Sequence, residues 1–215
     1  MKVALVGASG FVGKAVLNEL LQKRHQVTAI VRNPESITAQ NGLKITKVDV
    51  KAIDSLANEF MGSDIVVSAY NAGWTNPNLY TDFLIGSEAI QTAVKKSGVK
   101  RLLVIGGAGS LFIDGRQLVD SPEFPEAYKE GASAARDYLS ILQQENELEW
   151  TFLSPPIEMG PGTSGIRTGI YRTGKDSPVF NDTFHSVISV EDLAVAIVEE
   201  IEQPRHVRER FTIGY

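Results

Sequence analysis

The sequence predicts an α/β fold, a doubly wound and mostly parallel sheet with helices on both faces. Strand-like and helix-like patterns alternate along the whole chain of 215 residues. Such alternation is typical of parallel strands joined by crossover helices. The chain also opens on a buried-strand pattern, residues 2–6, which runs into a glycine-rich turn and then a helix. This length is enough for one sizeable core, so we expect a single domain over residues 1–215.

The elements of the first half follow from hydrophobic periodicity. The helix after the glycine-rich turn covers residues 15–21, and continuous apolar runs predict strands over 26–31 and 44–48. Ile53, Leu56 and Phe60 then recur at helical spacing. A fourth strand is predicted over 64–70, and the next helix covers residues 81–96.

In the second half the pattern predicts strands over 101–105, 150–153 and 210–213, with helices over 132–144 and 191–202. Residues 155–182 differ, because they are rich in Gly, Pro, Thr and Ser and lack helical periodicity. We expect them to form loops and short strands at the carboxyl edge of the sheet. Substrates bind at that edge in open α/β folds, so this segment is a candidate substrate-side elaboration.

The turn of residues 7–13 carries the strongest functional signal. It places Gly7, Gly10 and Gly13 between a strand and a helix, the context in which glycines indicate dinucleotide binding. Gly7 permits a tight turn, Gly10 lets phosphate oxygens approach, and Gly13 lets the helix pack closely. The helix N-terminus supplies free N–H groups and partial positive charge for a diphosphate. Ser9, Phe11 and Val12 complete the predicted binding loop.

A phosphate-binding loop of the ATPase type is the rival interpretation of this turn. The spacing before Gly13-Lys14 is one residue too long for it, and Ala15 stands where a Ser or Thr would bind magnesium. A glycine-rich turn without a ligand is the remaining alternative.

Composition excludes several classes of function. The net charge of −5 argues against non-specific nucleic-acid binding. The absence of cysteine excludes disulfides and thiolate catalysis. No apolar run approaches a membrane span, and the first residues already read as a core strand and not as a signal peptide, so we expect a cytoplasmic protein without a membrane partner. His25, His185 and His206 show no metal-ligand spacing, so no metal site is predicted.

The end of the second strand bears on the choice of coenzyme. An Asp or Glu there would accept from the ribose hydroxyls, but this chain has Arg32 and no carboxylate. Because a guanidinium suits a phosphate, we favour NADP(H) over NAD(H), the alternative being a solvated surface arginine. After the third strand, Asp49 and Val50 are candidates to flank the adenine, although Asp49 is equally suited to cap the next helix.

These motifs resemble the short-chain dehydrogenase/reductase superfamily in its extended and atypical branches, and more closely its NADH-flavin reductase group, a relative of biliverdin-IXβ/flavin reductase. The resemblance covers essentially the whole chain. It implies a Rossmann-like fold, with Ala69, Tyr70 and Asn71 passing beneath the coenzyme, Gly107 at the active-site end of the fifth strand and Pro155 supporting the nicotinamide. The segments that carry the resemblance are residues 7–13, 67–73, 103–110, 154–156, 171–176 and 188–194.

The chain departs from the superfamily in its catalytic pair. Standard members use Tyr-x-x-x-Lys, in which the lysine lowers the pKa of the tyrosine. Tyr128 is followed at that spacing by Ala132, and Tyr138 by Leu142. We therefore expect hydride transfer to a flavin or similar flat acceptor, because solvent can supply the proton. Ser110 and Tyr128 are the candidate catalytic residues, the alternatives being a loop cap and a packing tyrosine.

Two other functions remain open at this point. A non-catalytic regulator that senses NADP(H), similar to the NmrA-like proteins, would keep the same fold. A sugar-nucleotide epimerase or dehydratase is a weaker alternative, since its substrate lobe needs more C-terminal residues. Trp74, His185 and Arg167 are further candidates to line a pocket, each also explained as an ordinary surface or loop residue. A homodimer through a helical face is compatible with the sequence.

Overall fold

The computed structural model describes residues 1–215 and is built on one eight-stranded sheet. The strand order is β3 (Leu43–Lys47), β2 (Gln26–Val31), β1 (Lys2–Val6), β4 (Ile65–Ser68), β5 (Arg101–Ile105), β8 (Glu149–Ser154), β10 (Glu209–Gly214) and β9 (Arg172–Gly174). All neighbouring strands pair in parallel except β9, which runs antiparallel to β10 at one edge. This confirms the predicted Rossmann-like, doubly wound α/β fold.

The main strands and helices follow the predicted alternation. The helices are α1 (Phe11–Gln22), α2 (Ile53–Phe60), α3 (Leu79–Ser97), α4 (Glu126–Leu142) and α5 (Val190–Glu202). A separate hairpin is formed by β6 (Phe112–Ile113) and β7 (Arg116–Gln117).

Two apolar cores cover the two faces of the sheet. Helices α1 and α5 pack together on one face, and α2, α3 and α4 pack side by side on the other. Strands β1, β4, β5 and β8 are buried almost throughout, because helices cover both of their faces. None of the five helices combines the length and the apolar character needed to cross a bilayer.

The reversal of strand order lies between β1 and β4. From β1 the chain proceeds outward through β2 and β3, then returns to the other side of β1 and builds β4, β5 and β8. Loops that leave the carboxyl ends of β1 and β4 therefore diverge and open a crevice, the usual ligand position in this architecture.

The structure corrects two details of the sequence analysis. Helix α4 begins at Glu126, directly after Pro125, and not at Ala132, so Tyr128 lies in its first turn and not before it. The β6–β7 hairpin was not predicted, because its strands have only two residues each. Its turn contains Asp114-Gly115, both with positive φ, a dipeptide that by itself indicates a tight hairpin turn.

Gly13 fixes how closely α1 approaches the turn that leaves β1. A Cβ added at Gly13 would lie 2.1 Å from the carbonyl oxygen of Gly7, so Gly13→Ala must push backbone apart. We expect this variant to lose about 2 kcal/mol of unfolding free energy in urea denaturation, despite the better helix propensity of alanine.

Gly162→Ala is the matched control, because a Cβ there meets nothing within 4 Å, and it should stay within about 0.5 kcal/mol of the parent. Equal stabilities for the two variants would contradict the close approach.

Candidate functional site

The predicted site residues gather along one edge of the sheet. Parallel strands end on the same side, and β1, β2, β3, β4, β5 and β8 are all parallel. The segments that follow their carboxyl ends carry the predicted residues: 7–13, 32, 49–50, 69–71, 107–110 and 155. Topology therefore brings together residues that lie up to about 150 positions apart in the sequence.

The glycine-rich turn has the backbone that the sequence analysis expects. Gly7 adopts φ +80°, a left-handed conformation that favours glycine, and a Cβ there would lie 2.4 Å from the carbonyl oxygen of Ala69. The Gly7 amide donates to the Ile30 carbonyl and the Gly10 amide to the Gly7 carbonyl, both at 3.0 Å. The turn is thus locked to β2 and lies against the segment after β4.

The first turn of α1 presents donors with no partner in the protein. Its N-cap is Gly10, which has no side chain to cap the helix, and the amides of Phe11, Val12 and Gly13 donate to no backbone or side-chain acceptor. A Cβ at Gly10 would meet only the Gly7 carbonyl oxygen, at 3.4 Å, so the space in front of these amides is open. Free N–H groups at a helix N-terminus fit a diphosphate.

Arg32 lies where the sequence analysis expects an adenosine phosphate. Its side chain is exposed and takes part in no ion pair within the protein. It is close enough to Tyr70 for its charge to influence the pKa of that phenol. Burial and Asp82 raise the pKa of Tyr70 and the cations Lys51 and Arg32 oppose the rise, so Tyr70 stays neutral. Its hydroxyl donates to the Asp82 carbonyl oxygen at 3.0 Å.

The carboxylate of Asp49 forms a local turn. Its Oδ1 accepts from the Lys51 amide at 2.9 Å, whereas the N-cap of α2 is Ala52. Asp49 remains exposed and Val50 is half-buried, packed on the core beneath α2. Asn71 similarly turns its own loop, accepting from the Gly73 amide at 2.7 Å.

At the other end of the crevice, Ser110 is almost fully buried, with 1% exposure. Its hydroxyl lies 3.3 Å from that of Ser154 and 3.5 Å from the Gly107 carbonyl oxygen. Arg210 donates to the Ser110 carbonyl oxygen at 2.9 Å and to its hydroxyl oxygen at 3.3 Å. Ser110 is therefore held from β8 and β10 at once. Pro155, directly after Ser154, is also buried.

Neither candidate tyrosine has a lysine partner. Tyr128 is exposed in the first turn of α4, and the neighbouring Lys129 reaches Glu126 at 3.8 Å. Tyr138 is buried, donates its hydroxyl to Gln91 at 3.2 Å, and has a pKa raised by burial. The geometry thus agrees with the absence of a Tyr-x-x-x-Lys pair in the sequence.

Comparison with known proteins decides the family. The family model described as NAD(P)H-binding matches residues 7–204. The chain belongs to this NAD(P)H-binding family. It is 39% identical to the uncharacterized protein YwnB of Bacillus subtilis, covering 99% of this chain and 98% of that protein.

Two solved structures extend the comparison. One, named "putative epimerase", from Bacteroides thetaiotaomicron, has a TM-score of 0.91 at 45% identity and covers 100% of this chain and 96% of its own. The other, named "putative NADH-flavin reductase", from Streptococcus pneumoniae, has a TM-score of 0.87 at 34% identity, with 100% and 99% covered. The resemblance to an atypical NAD(P)H-binding reductase group is confirmed.

The structure of this NAD(P)H-binding chain also contains an ion pair between a C-terminal loop and α1 that the sequence does not predict. The loop of residues 163–170 crosses α1, where Arg167 makes a bidentate ion pair with the buried Glu19, at 2.7 and 2.9 Å. Arg167 therefore makes a structural contact.

The three histidines each lie beside one glutamate: His25 with Glu202, His185 with Glu158 and His206 with Glu200.

Asp192 of α5 anchors the same loop. This fully buried carboxylate accepts from the Thr168 amide and hydroxyl and from the Gly169 amide, and also from the Tyr215 hydroxyl at 2.6 Å. Burial alone would raise the pKa of Asp192, but the hydrogen bonds from Thr168 and Tyr215 outweigh it and lower the pKa. The only feature of the sequence that points to a structural role for Asp192 is its position as an acidic residue in the first turn of a helix.

We expect Asp192→Asn to destabilise the fold by about 2–3 kcal/mol at neutral pH, because an amide cannot accept from all of these donors. A carboxylate whose pKa is lowered by folding contributes stability above its ordinary pKa of 3.8 and loses it as the pH falls through the folded value. Urea denaturation of the wild-type protein and of Asp192→Asn should therefore show that their difference in unfolding free energy narrows as the pH falls through the folded-state pKa of Asp192. A difference independent of pH would contradict the role of the charge.

Proposed function

We propose that this chain is an NADPH-dependent reductase that transfers hydride to a flavin or a similar flat acceptor. One observation carries the proposal. The first turn of α1 has unpaired amides that suit a diphosphate, whereas no lysine stands four residues after Tyr128 or Tyr138, as an acid–base pair for alcohol or sugar chemistry requires. Hydride transfer to a conjugated ring needs mainly that two flat groups be held face to face.

In this proposal the residues at the carboxyl edge of the sheet bind the coenzyme and orient it toward the acceptor. The amides of Phe11, Val12 and Gly13 hold the diphosphate, and the segment of residues 69–71 supports the middle of the coenzyme. A bound reduced nicotinamide supplies a hydride, which together with one proton from solvent reduces the acceptor ring. Gly107 and Pro155 limit the space around the nicotinamide, the exposed Tyr128 offers a hydroxyl to the acceptor, and the buried Ser110 positions the segment after β5.

The Streptococcus pneumoniae relative supports the flavin reductase assignment through its name, at 34% identity over the whole chain. The Bacteroides relative is named a putative epimerase, but a nicotinamide-dependent epimerase oxidises and re-reduces a sugar alcohol, which needs a side chain that removes and returns the hydroxyl proton. Tyr128 has Ala132 and not lysine at the required spacing, and Tyr138 is buried with a raised pKa. These features favour the reductase over the epimerase.

NADPH is the proposed coenzyme because Arg32 is the unpaired cation at the end of β2. The nearby Lys51 is already bound to Asp82, at 2.7 Å, and Asp82 also accepts from Asn76 at 2.9 Å. Arg32 follows directly on β2 and has no ion-pair partner, so its guanidinium can meet a 2′-phosphate, and no carboxylate at the end of β2 would repel one.

Replacing Arg32 should abolish the preference between coenzymes. A charge-assisted hydrogen bond contributes about 1.5–3 kcal/mol, so Arg32→Ala should weaken NADPH binding about 10- to 100-fold and leave NADH binding within about twofold. Titration followed by nucleotide fluorescence measures both.

Arg205→Ala is a suitable control for this titration, because Arg205 is exposed before β10, at the opposite edge of the sheet. An unchanged ratio of affinities in Arg32→Ala would remove Arg32 from the coenzyme site.

The proposed reaction itself is tested by steady-state oxidation of NADPH with FMN, FAD, riboflavin and quinones as acceptors. We expect saturable turnover with at least one flat acceptor and none with simple ketones or nucleotide sugars. Tight NADPH binding without turnover of any acceptor would contradict the reductase. Equal affinity for NADP⁺ and NADPH in that case would favour the NADP(H)-sensing regulator.

A further inference from the structure

Two exposed aromatic side chains meet at the carboxyl edge of the sheet. Trp74, in the loop between β4 and α3, is 60% exposed, and Tyr128, in the first turn of α4, is 55% exposed. Their ring centroids lie 5.6 Å apart with planes at 86°, an edge-to-face pair. We call Trp74 and Tyr128 the aromatic wall. Large aromatic groups are normally buried, so two of them exposed together at a ligand-binding edge indicate a recognition surface.

The indole of Trp74 packs against the backbone of α4 at Gly131. A Cβ added at Gly131 would lie 2.9 Å from Cζ3 of Trp74 and 3.3 Å from Cη2. Any side chain at this position would therefore displace the ring. Glycine inside a helix is unfavourable relative to alanine, so its presence here is explained by the indole and by Cδ2 of Leu79, which would lie 3.1 Å from the same Cβ.

The loop that carries Trp74 is held without burying the ring. The Asn76 amide group donates to Asp82 at 2.9 Å, Asn71 accepts from the Gly73 amide at 2.7 Å, and the Asn78 amide donates to Asn76 at 2.9 Å. The exposed face of the indole is thus a fixed surface. A rigid aromatic surface loses little conformational entropy when a ligand stacks on it.

The same face of α4 reaches the active-site end of β5. Tyr128, Gly131, Ala132 and Ala135 follow helical spacing and share one face. A Cβ at Gly109 would lie 2.8 Å from that of Ala132, and one at Gly107 would lie 3.4 Å from that of Ala135. Tyr128 is one turn from Ala132, about 6 Å along the axis, so the aromatic wall stands about one helical turn from the segment that contains Ser110.

We propose that the aromatic wall is one side of the acceptor site and that it takes a planar conjugated ring system of the size of an isoalloxazine. The proposal rests on the reductase function and specifies its substrate class. A stacked ring between the wall and the nicotinamide position presents one face to the hydride and the other to Trp74. A small ketone or aldehyde would leave the indole in water, so the wall favours large flat acceptors over small carbonyl compounds.

FMN is the probe that tests this inference, because stacking on an indole quenches flavin emission and produces a long-wavelength charge-transfer absorbance. FMN is titrated with the protein in the presence of NADP⁺, so that no turnover occurs. We expect quenching with the wild-type protein and its loss in Trp74→Leu. Gly131→Ala, which keeps the indole but displaces it, should weaken FMN binding as well.

Three further variants distinguish an effect of the aromatic wall from other causes of quenching. Trp150→Phe removes the other tryptophan, which is buried with 4% exposure, and should leave the quenching unchanged. Tyr128→Phe keeps the ring and should retain FMN binding, whereas Tyr128→Ser should not. Under turnover, Trp74→Leu should raise KM for FMN about tenfold with kcat within about threefold, and NADPH affinity should be unaltered.

The outcomes for the wall and for the reductase are distinguishable. FMN reduction at an unchanged KM with unchanged quenching in Trp74→Leu would overturn the aromatic wall and leave the reductase standing. Quenching that depends on Trp74 without any turnover would overturn the reductase and support the wall as a binding site for flat rings. Loss of NADPH affinity in Trp74→Leu would also count against the wall, because the indole would then belong to the coenzyme site.

Discussion

The contact between two glycines, where β1 passes into α1, is the constraint on which the rest of the site depends. Because Gly13 has no side chain, the first turn of α1 can lie directly against the Gly7 carbonyl, and Gly7 itself adopts a left-handed conformation beneath it. The unpaired amides of α1 lie in this same first turn, at the edge where the reversal of strand order opens a crevice. Any side chain at either glycine would force backbone atoms apart.

The two halves of the chain are joined around this turn by charge. The loop of residues 163–170 comes from the C-terminal half, yet Arg167 binds Glu19 on α1, and Asp192 holds the next two residues from α5. Buried carboxylates are unfavourable unless they are paired or hydrogen-bonded; Glu19 is paired with Arg167, and Asp192 accepts hydrogen bonds from Thr168, Gly169 and Tyr215. The loop of residues 163–170 is therefore fixed against α1 and α5 by specific polar contacts.

The sequence predicted the features that depend on local pattern. The bounds of β5 agree with the prediction for residues 101–105, and α5 begins one residue before the predicted 191, because continuous apolar runs and helical periodicity are read directly from the chain. The glycine turn and the missing lysine partner of Tyr128 were likewise visible. The first six residues of α4 were not predicted to be helical, because residues 126–131 are mostly polar and include Gly131. That glycine is explained by Trp74, which packs against it from another loop.

Contacts between distant residues account for the rest of what was missed. Glu19 and Arg167 are 148 positions apart, and no local pattern relates them. Ser110 was assigned a role near the acceptor without knowledge that Arg210 and Ser154 hold it, since β8 and β10 become its neighbours only in the sheet. The alternation of strands and helices predicts a mostly parallel sheet, but it does not predict which strands are neighbours. The contacts of Ser110 depend on that strand order.

We propose that the diphosphate of NAD(P)H binds against the free amides of α1, and a titration of the Gly10→Val variant with NADPH measures this contact. Gly10 has φ −74° and ψ 172°, an extended conformation open to valine, and a Cβ there would meet only the Gly7 carbonyl oxygen, at 3.4 Å. Because valine is a poorer N-cap than glycine, we predict a variant that still folds, about 1 kcal/mol less stable, with a loss of NADPH affinity of at least about tenfold. Unchanged affinity in the folded variant would contradict the account.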